Sequence, residues 1–395
     1  RPDVEMPDKP RWFSPPLYGL TTYGDLFTPR QLVALTTFSD LVCQARELAE
    51  ADATRAGLAD DGMPLRDGGR GMKAYGEAVA VYLGFAVDKT TDYNTSLVVW
   101  SPTRDQVKTT FGRQALPMTW DYAETNTFAQ AAGDLAVSAR GIARALSNLS
   151  SGPAGIAIQS DARRQTLSVG NVVSTDPPYY DNIGYADLSD FFYVWLRKAF
   201  REVFPGLLST MAVPKVDELV ATPYRHGGRE AADAFFLDGM TQALRRLGQS
   251  AAEGFPVTIY YAFKQSETTS DGTSSTGWET FLAALLNAGL GLTGTWPMRT
   301  ERGNRSIGIG TNALASSIVL VCSRRADDAQ TVTRRDFIRV LRTQLPKALV
   351  HLQKSNIAPV DLAQSSIGPG MALFSRYKSV VEADGSAMSV GTALR

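Results

Sequence analysis

The sequence predicts an α/β fold with additional helices, and three observations support this class. The 395 residues are enough for a large α/β domain with helical additions, or for two domains. From residue 155 onward, apolar runs and helical patterns follow the order strand, strand, helix, strand, helix, strand, strand. Such alternation predicts a mostly parallel sheet with helices on both faces. The last two strands have no helix between them, so we expect them to pair antiparallel.

Composition narrows the class of protein. Hydrophobic residues make up 44% and charged residues 20%, which is ordinary for a soluble globular protein. No window approaches the ~18 consecutive apolar residues of a membrane span. With only two cysteines and two histidines, neither a disulfide framework nor a zinc site is expected, and we predict a cytoplasmic protein without a metal. The net charge of zero counts mildly against nucleic-acid binding.

Residues 1–150 are predicted to form a mainly helical region. Thr28 can cap a helix, Pro29 suits its first position and Gln31 completes a capping box, so a helix is expected to begin at Pro29. Apolar residues at helical spacing continue this helix, a second one is expected over about 72–87, and an Ala-rich third one over 126–149.

Residues 151–325 are predicted to form the core of the α/β fold, with an insertion near 203–229 where Pro and Gly recur. Its strands are expected at 156–158, 169–175, 257–263, 292–298 and 315–322. A capping box from Thr276 to Glu279 predicts a helix that stops at Gly289. Residues 326–395 are predicted to contain one helix, over 331–352, and an irregular tail.

The motif with the clearest chemistry is Asp176-Pro177-Pro178-Tyr179, between a predicted strand and a predicted helix. The carboxyl ends of strands are where α/β folds place their sites. Asp176 and the Pro177 carbonyl can each accept an N–H bond from an exocyclic base amine, which aims its nitrogen lone pair at a methyl group. Tyr179 can stack on a base flipped out of the duplex. The alternative is a Pro-rich turn in which Asp176 caps a helix and Tyr179 is a packed aromatic residue.

Five further residues are candidates for substrate binding. Tyr180, Asn182 and Tyr185 follow the motif and are candidates for the pocket of the base. Asn304 and Arg305 lie in a Gly-rich loop between two predicted strands, and we expect them to contact the DNA backbone or the flipped nucleotide. The alternative for this loop is a mobile surface segment.

Asp161 is the candidate for binding a methyl donor. It follows the apolar run 156–158, where Rossmann-like methyltransferases place an acidic residue on the adenine amino group of the donor. An aspartate that simply opens a loop after a strand is an equally good interpretation of the residue alone.

Longer runs are more specific than the four-residue motif, and they extend in order over nearly the whole chain: 26–32, 111–128, 176–198, 312–322 and 367–377. In these runs the chain resembles the large bacterial and archaeal adenine-specific DNA methylases that carry an N-terminal domain of unknown function. The resemblance implies a Rossmann-like sheet, S-adenosylmethionine as cofactor, and N6-adenine methylation of DNA in DNA modification or phage defence. It also implies other defence-system proteins as partners. Asp176 to Tyr179 match the family's catalytic motif, and Asp161 matches its donor-adenine position.

The chain departs from this family in one respect. The family's Gly-rich donor loop, Asp-Pro-Phe-x-Gly-x-Gly, does not occur in the sequence. Because the first residue is Arg1 rather than Met, we expect a piece of a longer chain or a processed product. The missing loop indicates that the chain corresponds to the C-terminal part of the family's chain, so we expect a partial sheet that binds the donor weakly or not at all. A permuted donor loop at 367–370 is disfavoured, because no apolar strand precedes it and Pro369 removes a backbone donor, so a turn is expected there.

Three functions stay open at this stage. The aspartate at the first motif position favours adenine N6, whereas serine and asparagine are common for cytosine N4 and some RNA targets. An N4-cytosine or RNA amino-methyltransferase is therefore the first alternative. A catalytically silent DNA-binding subunit of a defence complex is the second, and the intact motif argues against it.

Overall fold

A computed structural model describes residues 1–7, 12–149, 152–153, 155–181, 183–261, 276–299, 316–353 and 359–394. The chain forms two compact units. The first comprises Arg1–Gln159 and Gly184–Glu218, and the second comprises Ser160–Ile183 and Leu219–Arg395. This division differs from the three regions predicted from the sequence, since 184–218 belongs to the first unit and the C-terminal residues belong to the second.

The first unit is built on four helices: α1 (Pro29–Arg55), α2 (Met72–Thr91), α3 (Leu135–Ser147) and α4 (Tyr185–Phe200), with a short hairpin of β1 (Trp100–Ser101) and β2 (Gln106–Val107). The predicted start of α1 is confirmed. The Thr28 hydroxyl accepts from the Gln31 amide at 3.3 Å, and the Gln31 side chain accepts from the Thr28 amide at 2.8 Å. Helix α3 begins later than predicted, because the Asp134 side chain caps it by accepting from the Val137 amide at 3.1 Å.

The second unit contains a four-stranded sheet of β3 (Ser174–Thr175), β4 (Val257–Tyr261), β5 (Leu290–Arg299) and β6 (Ser316–Arg324), in the order β3-β4-β6-β5. Strands β3 and β4 are parallel, whereas β4–β6 and β5–β6 are antiparallel. The antiparallel pairing of the last two strands is therefore confirmed. Because β6 lies between β4 and β5 and runs against both, β3, β4 and β5 share one direction, and the described four-stranded sheet is mixed with β6 as its reversed strand.

Short helix α5 (Pro223–His226) and long helix α6 (Arg229–Ser250) precede β4, and α7 (Thr276–Asn287) precedes β5. After the sheet come β7 (Thr331–Thr333), α8 (Arg334–Gln353), α9 (Pro359–Ser375), β8 (Ser379–Val381) and α10 (Val390–Leu394), with β7 and β8 paired in parallel. The α/β class is thereby confirmed. None of the described helices combines the length and apolar character that crossing a membrane requires.

The C-terminal segment is more regular than the sequence predicts. Residues 367–370, expected to form a turn, lie inside α9, and the expected irregular tail contains α9, β8 and α10. Helix α9 packs on β5 so closely that a Cβ at Gly368 would lie 1.9 Å from the Thr295 hydroxyl oxygen. Burial of Met371, Leu373 and Phe374 against the sheet therefore outweighs the helix-breaking preference of Pro369 and its flanking glycines.

The run Ile156–Ile158 was expected to be a strand, and this prediction is wrong. The described residues 155–160 have no strand conformation, and Ile156 and Ile158 are 86% and 58% exposed. Three apolar residues beside a proline and glycines are too short a signal to distinguish a strand from an exposed loop.

Candidate functional site

The motif Asp176-Pro177-Pro178-Tyr179 follows β3 directly, at the carboxyl end of that strand. Strand β3 pairs in parallel with β4, and Thr175 is opposite Ile259. The carboxyl ends of both strands therefore meet at one edge of the sheet, where Asp176 follows β3 and Tyr261 ends β4. This is the position that α/β folds use for their sites.

Asp176 and Tyr179 are hydrogen-bonded to each other. The Tyr179 hydroxyl donates to Asp176 Oδ1 at 2.7 Å, while the Asp176 side chain is exposed. Tyr179 is half-buried, and its ring meets that of Tyr261 edge-on, with centroids 5.1 Å apart. The alternative in which Asp176 caps the next helix is excluded, because the N-cap of α4 is Gly184.

The backbone of the motif presents acceptors and few donors. Pro177 and Pro178 have no N–H group, and the Pro178 carbonyl accepts from the Tyr180 amide at 3.2 Å. Within the described part of the chain, no group donates to the Pro177 carbonyl or to Asp176 Oδ2. A carboxylate oxygen and a carbonyl oxygen can therefore take the two N–H groups of an amine at this edge.

Tyr180 anchors the motif in the core of the second unit. It has a left-handed backbone (φ 49°) and is only 3% exposed. Its hydroxyl donates to Asp233 Oδ1 on α6, and its carbonyl accepts from the Ala221 amide at 3.0 Å. Its ring meets Phe236 edge-on at 5.2 Å. These contacts fix the backbone immediately after Tyr179.

Arg229, near the start of α6, joins this anchor to the next residue of the turn. Its Nη1 lies 3.1 Å from Asp181 Oδ2, its Nε lies 3.4 Å from Asp233 Oδ1, and its guanidinium stands over the Tyr180 ring at 5.3 Å. Burial, and then the bond to Asp233, raise the pKa of Tyr180 far above its usual value, so this residue is a neutral phenol. The placement of Tyr180 favours a role in holding the turn over direct contact with a base.

An aromatic wall extends from Tyr179 along the same edge. We use this name for the side chains of Tyr179, Tyr261, Trp278 and Phe281. Tyr261 is stacked on Phe281 at 4.0 Å and tilted against Trp278 at 5.6 Å. These partners were not identified from the sequence. The available signal was an aromatic residue, Tyr261, at the end of the strand next to the motif strand.

Asp161 is engaged by its own loop. Arg163 donates to both carboxylate oxygens, from Nε to Oδ1 at 3.0 Å and from Nη2 to Oδ2 at 2.9 Å, and its amide donates to Oδ1 at 2.9 Å. The hydrogen bond from the Arg163 side chain is the main cause that lowers the pKa of Asp161. This geometry is that of an aspartate opening a turn, and a ligand at Asp161 would have to displace Arg163.

The remaining predicted site residues are Tyr185, Asn182, Asn304 and Arg305. Tyr185 is the first residue of α4 and belongs to the first unit. Asn182, Asn304 and Arg305 lie outside the described residues. In the described ranges no group of three or more His, Cys, Asp or Glu side chains could hold a metal ion.

Comparisons with known proteins add nothing to this geometry: no protein-family model, no curated protein and no solved structure matches the chain.

Proposed function

We propose that the protein is an S-adenosylmethionine-dependent N6-adenine methyltransferase that acts on DNA through Asp176-Pro177-Pro178-Tyr179. One observation carries the proposal. At the carboxyl end of β3, the exposed Asp176 carboxylate and the Pro177 carbonyl offer two acceptors on a turn in which Pro177 and Pro178 carry no N–H group. An exocyclic amine carries two N–H groups, so this edge complements it.

The motif residues act by orientation and charge. Asp176 accepts one N–H bond and the Pro177 carbonyl accepts the other, which withdraws the nitrogen lone pair from the ring and directs it outward. During transfer the amine nitrogen would form its bond to the methyl carbon as the bond from that carbon to the donor sulfur breaks. Asp176 and the Pro177 carbonyl would stabilise the positive charge that the nitrogen gains, until one of its N–H protons is lost to water. The Tyr179 hydroxyl holds Asp176 Oδ1, so the carboxylate has a defined direction. The Tyr179 ring gives the base a face for stacking.

S-adenosylmethionine supplies an electrophilic methyl group when it is bound. Asp161 does not fit the donor in the conformation of the structure, because Arg163 occupies both of its carboxylate oxygens. The proposed function therefore rests on how the motif would bind the base that receives the methyl group, and not on a site for the methyl donor.

The test is methyl transfer to DNA by the protein expressed from its complete gene, using radiolabelled S-adenosylmethionine. Asp176→Ala should lower the rate by about 10²-fold or more, the usual loss when one positioned electrostatic group is removed. Asp176→Asn keeps an acceptor oxygen without the charge, and we expect an intermediate rate. The matched control is Asp238→Ala, which removes an exposed aspartate on α6 that accepts a hydrogen bond from Gln242 at 2.8 Å.

The outcomes separate the alternatives. Transfer to cytosine N4 or to RNA, still lost in Asp176→Ala, would keep the chemistry and change the substrate. Methyl transfer by Asp176→Ala at the wild-type rate would show that Asp176 has no role in the reaction. DNA binding without transfer to any nucleic acid, unchanged in Asp176→Ala, would identify a silent DNA-binding subunit.

A further inference from the structure

The second unit contains a polar cavity of about 330 Å³ away from the motif. It lies between the carboxyl ends of α6, α7 and β6 and the segment that leads into β8. Four cationic side chains line it, with one carboxylate among them: Arg245, Arg324, Arg325, Lys378 and Asp327. Positive side chains therefore outnumber negative ones among the described residues that line the cavity.

The cavity lies at the opposite edge of the sheet from the motif. Arg324, at the carboxyl end of β6, is opposite Leu290 at the amino end of β5. Tyr261, which ends β4 at the motif edge, is opposite Ile318. At ~3.3 Å per residue, Arg324 and Ile318 are about 20 Å apart along β6. The cavity is therefore separate from the proposed site of methyl transfer.

Two of the cations are fixed by the backbone. Arg245 Nη2 donates to the Asn287 carbonyl at 3.1 Å, and Arg325 donates to the carbonyls of Leu286 and Tyr377 at 3.1 and 3.3 Å. These bonds satisfy the carboxyl end of α7, where the helix dipole is negative. Because a guanidinium has five N–H donors, each arginine keeps further donors while its position is held.

The other two cations can be recruited by a ligand. Arg324 is paired only loosely with Asp327, at 3.5 Å between side chains that are 67% and 89% exposed, and such pairs contribute little in water. Lys378 is exposed, and among the described residues no acceptor binds its ammonium group. An anion in the cavity would therefore not have to break a strong existing ion pair.

We propose that this cavity binds a small ligand through one or more phosphate groups. Converging guanidinium and ammonium groups match the charge and the acceptor geometry of phosphate oxygens. The volume lies at the lower end of the range of about 300–1,000 Å³ for small-molecule sites. None of the described residues that line the cavity has an aromatic ring on which a base could stack, so the phosphate is the recognised group. The proposal goes beyond the methyltransferase and does not depend on it.

The proposal is tested by isothermal titration calorimetry of the complete protein, with pyrophosphate as the first probe. The buffer is low in salt and contains no phosphate. Arg324→Ala and Lys378→Ala should each weaken binding about tenfold, the loss expected for one charge-assisted hydrogen bond. The control is Arg339→Ala on α8, because Arg339 also pairs with an aspartate three residues away, at 3.0 Å, and does not line the cavity. It should bind pyrophosphate as the wild type does.

Other probes identify the source of the phosphate. Equal binding of pyrophosphate and ATP would indicate that only the phosphate groups are recognised, and tighter binding of ATP would indicate a nucleotide; both support the proposal. Asp176→Ala should leave pyrophosphate binding unchanged, which separates this site from methyl transfer. No binding of any small phosphate, equal binding in all variants, or binding of duplex DNA alone would overturn it.

Discussion

Gly277 is the position where a single added methyl group should disturb the motif most directly. A Cβ there would lie 2.9, 3.0 and 3.1 Å from Cδ1, Cγ and Cβ of Tyr180. These atoms belong to the base of a side chain that is 3% exposed and held at its far end by Asp233. Tyr180 cannot turn aside without moving the backbone next to Tyr179, so Gly277→Ala should strain the turn.

The expected cost follows from two opposing terms. Overpacking a buried site costs about 1–3 kcal/mol. Replacing glycine by alanine in a helix returns roughly 0.5–1 kcal/mol. We therefore expect Gly277→Ala to lower the free energy of unfolding of the second unit by about 1 kcal/mol, and by no more than about 2.5 kcal/mol. Gly370→Ala, in α9 of the same unit, is the matched control, because nothing lies within 4 Å of its Cβ position. It should be neutral or stabilising.

Native-state hydrogen exchange of peptides from β4 measures this free energy inside the second unit, without assuming that both units unfold together. Gly277→Ala should exchange faster than the wild type, and Gly370→Ala should not. If the β4 amides are as well protected from exchange in Gly277→Ala as in Gly370→Ala, the packing of Tyr180 against α7 is refuted.

Three further predictions concern charged and polar groups. Tyr180→Phe should lower the free energy of unfolding by about 1–2 kcal/mol, and a double-mutant cycle with Asp233→Ala should show coupling; strict additivity would contradict their hydrogen bond. Burial raises the pKa of Asp88, whose Oδ1 has no partner among the described residues. The folded protein therefore binds the carboxyl proton of Asp88 more tightly than the unfolded chain does, and the free energy of unfolding falls as pH rises above about 3.8. In a pH series, Asp88→Asn should match the wild type below that pH and exceed it near neutrality; a constant difference would contradict this. Arg163→Ala should raise the pKa of Asp161 toward its ordinary value in an NMR titration, and an unchanged pKa would exclude their ion pair.

The sequence predicts those features of the fold that depend on neighbouring residues. The start of α1 is a local exchange of hydrogen bonds between Thr28 and Gln31, and it forms as expected. Helix α7 likewise covers the predicted segment, from Thr276 to Asn287. Strand pairing is not local, and nothing in the runs themselves indicates that β6 lies between β4 and β5.

Position 368 shows a second limit. In the sequence, Gly368 and Pro369 indicate a turn, since both are poor helix residues. In the structure the glycine is required because α9 approaches Thr295 too closely for a side chain. Tertiary packing thus reverses the local preference, and this packing partner is far away in the sequence.

The candidate site divides in the same way. The motif and its position after a strand can be predicted, because Asp176 and Tyr179 are neighbours in the chain. Their supports cannot: Asp233 and Arg229 come from α6 and Tyr261 from β4, and only folding brings these residues to the turn. The predicted strand over 257–263 does not indicate which of its aromatic residues contacts the motif.

Methylation of adenine through Asp176 is tested by mass spectrometry of nucleosides from DNA incubated with S-adenosylmethionine and the protein expressed from its complete gene. We expect N6-methyladenine with the wild type and with Asp238→Ala, and its loss with Asp176→Ala. N6-methyladenine at wild-type levels from Asp176→Ala would contradict the proposed role of Asp176. A wild-type protein that methylates another base and makes no N6-methyladenine would contradict the proposed substrate.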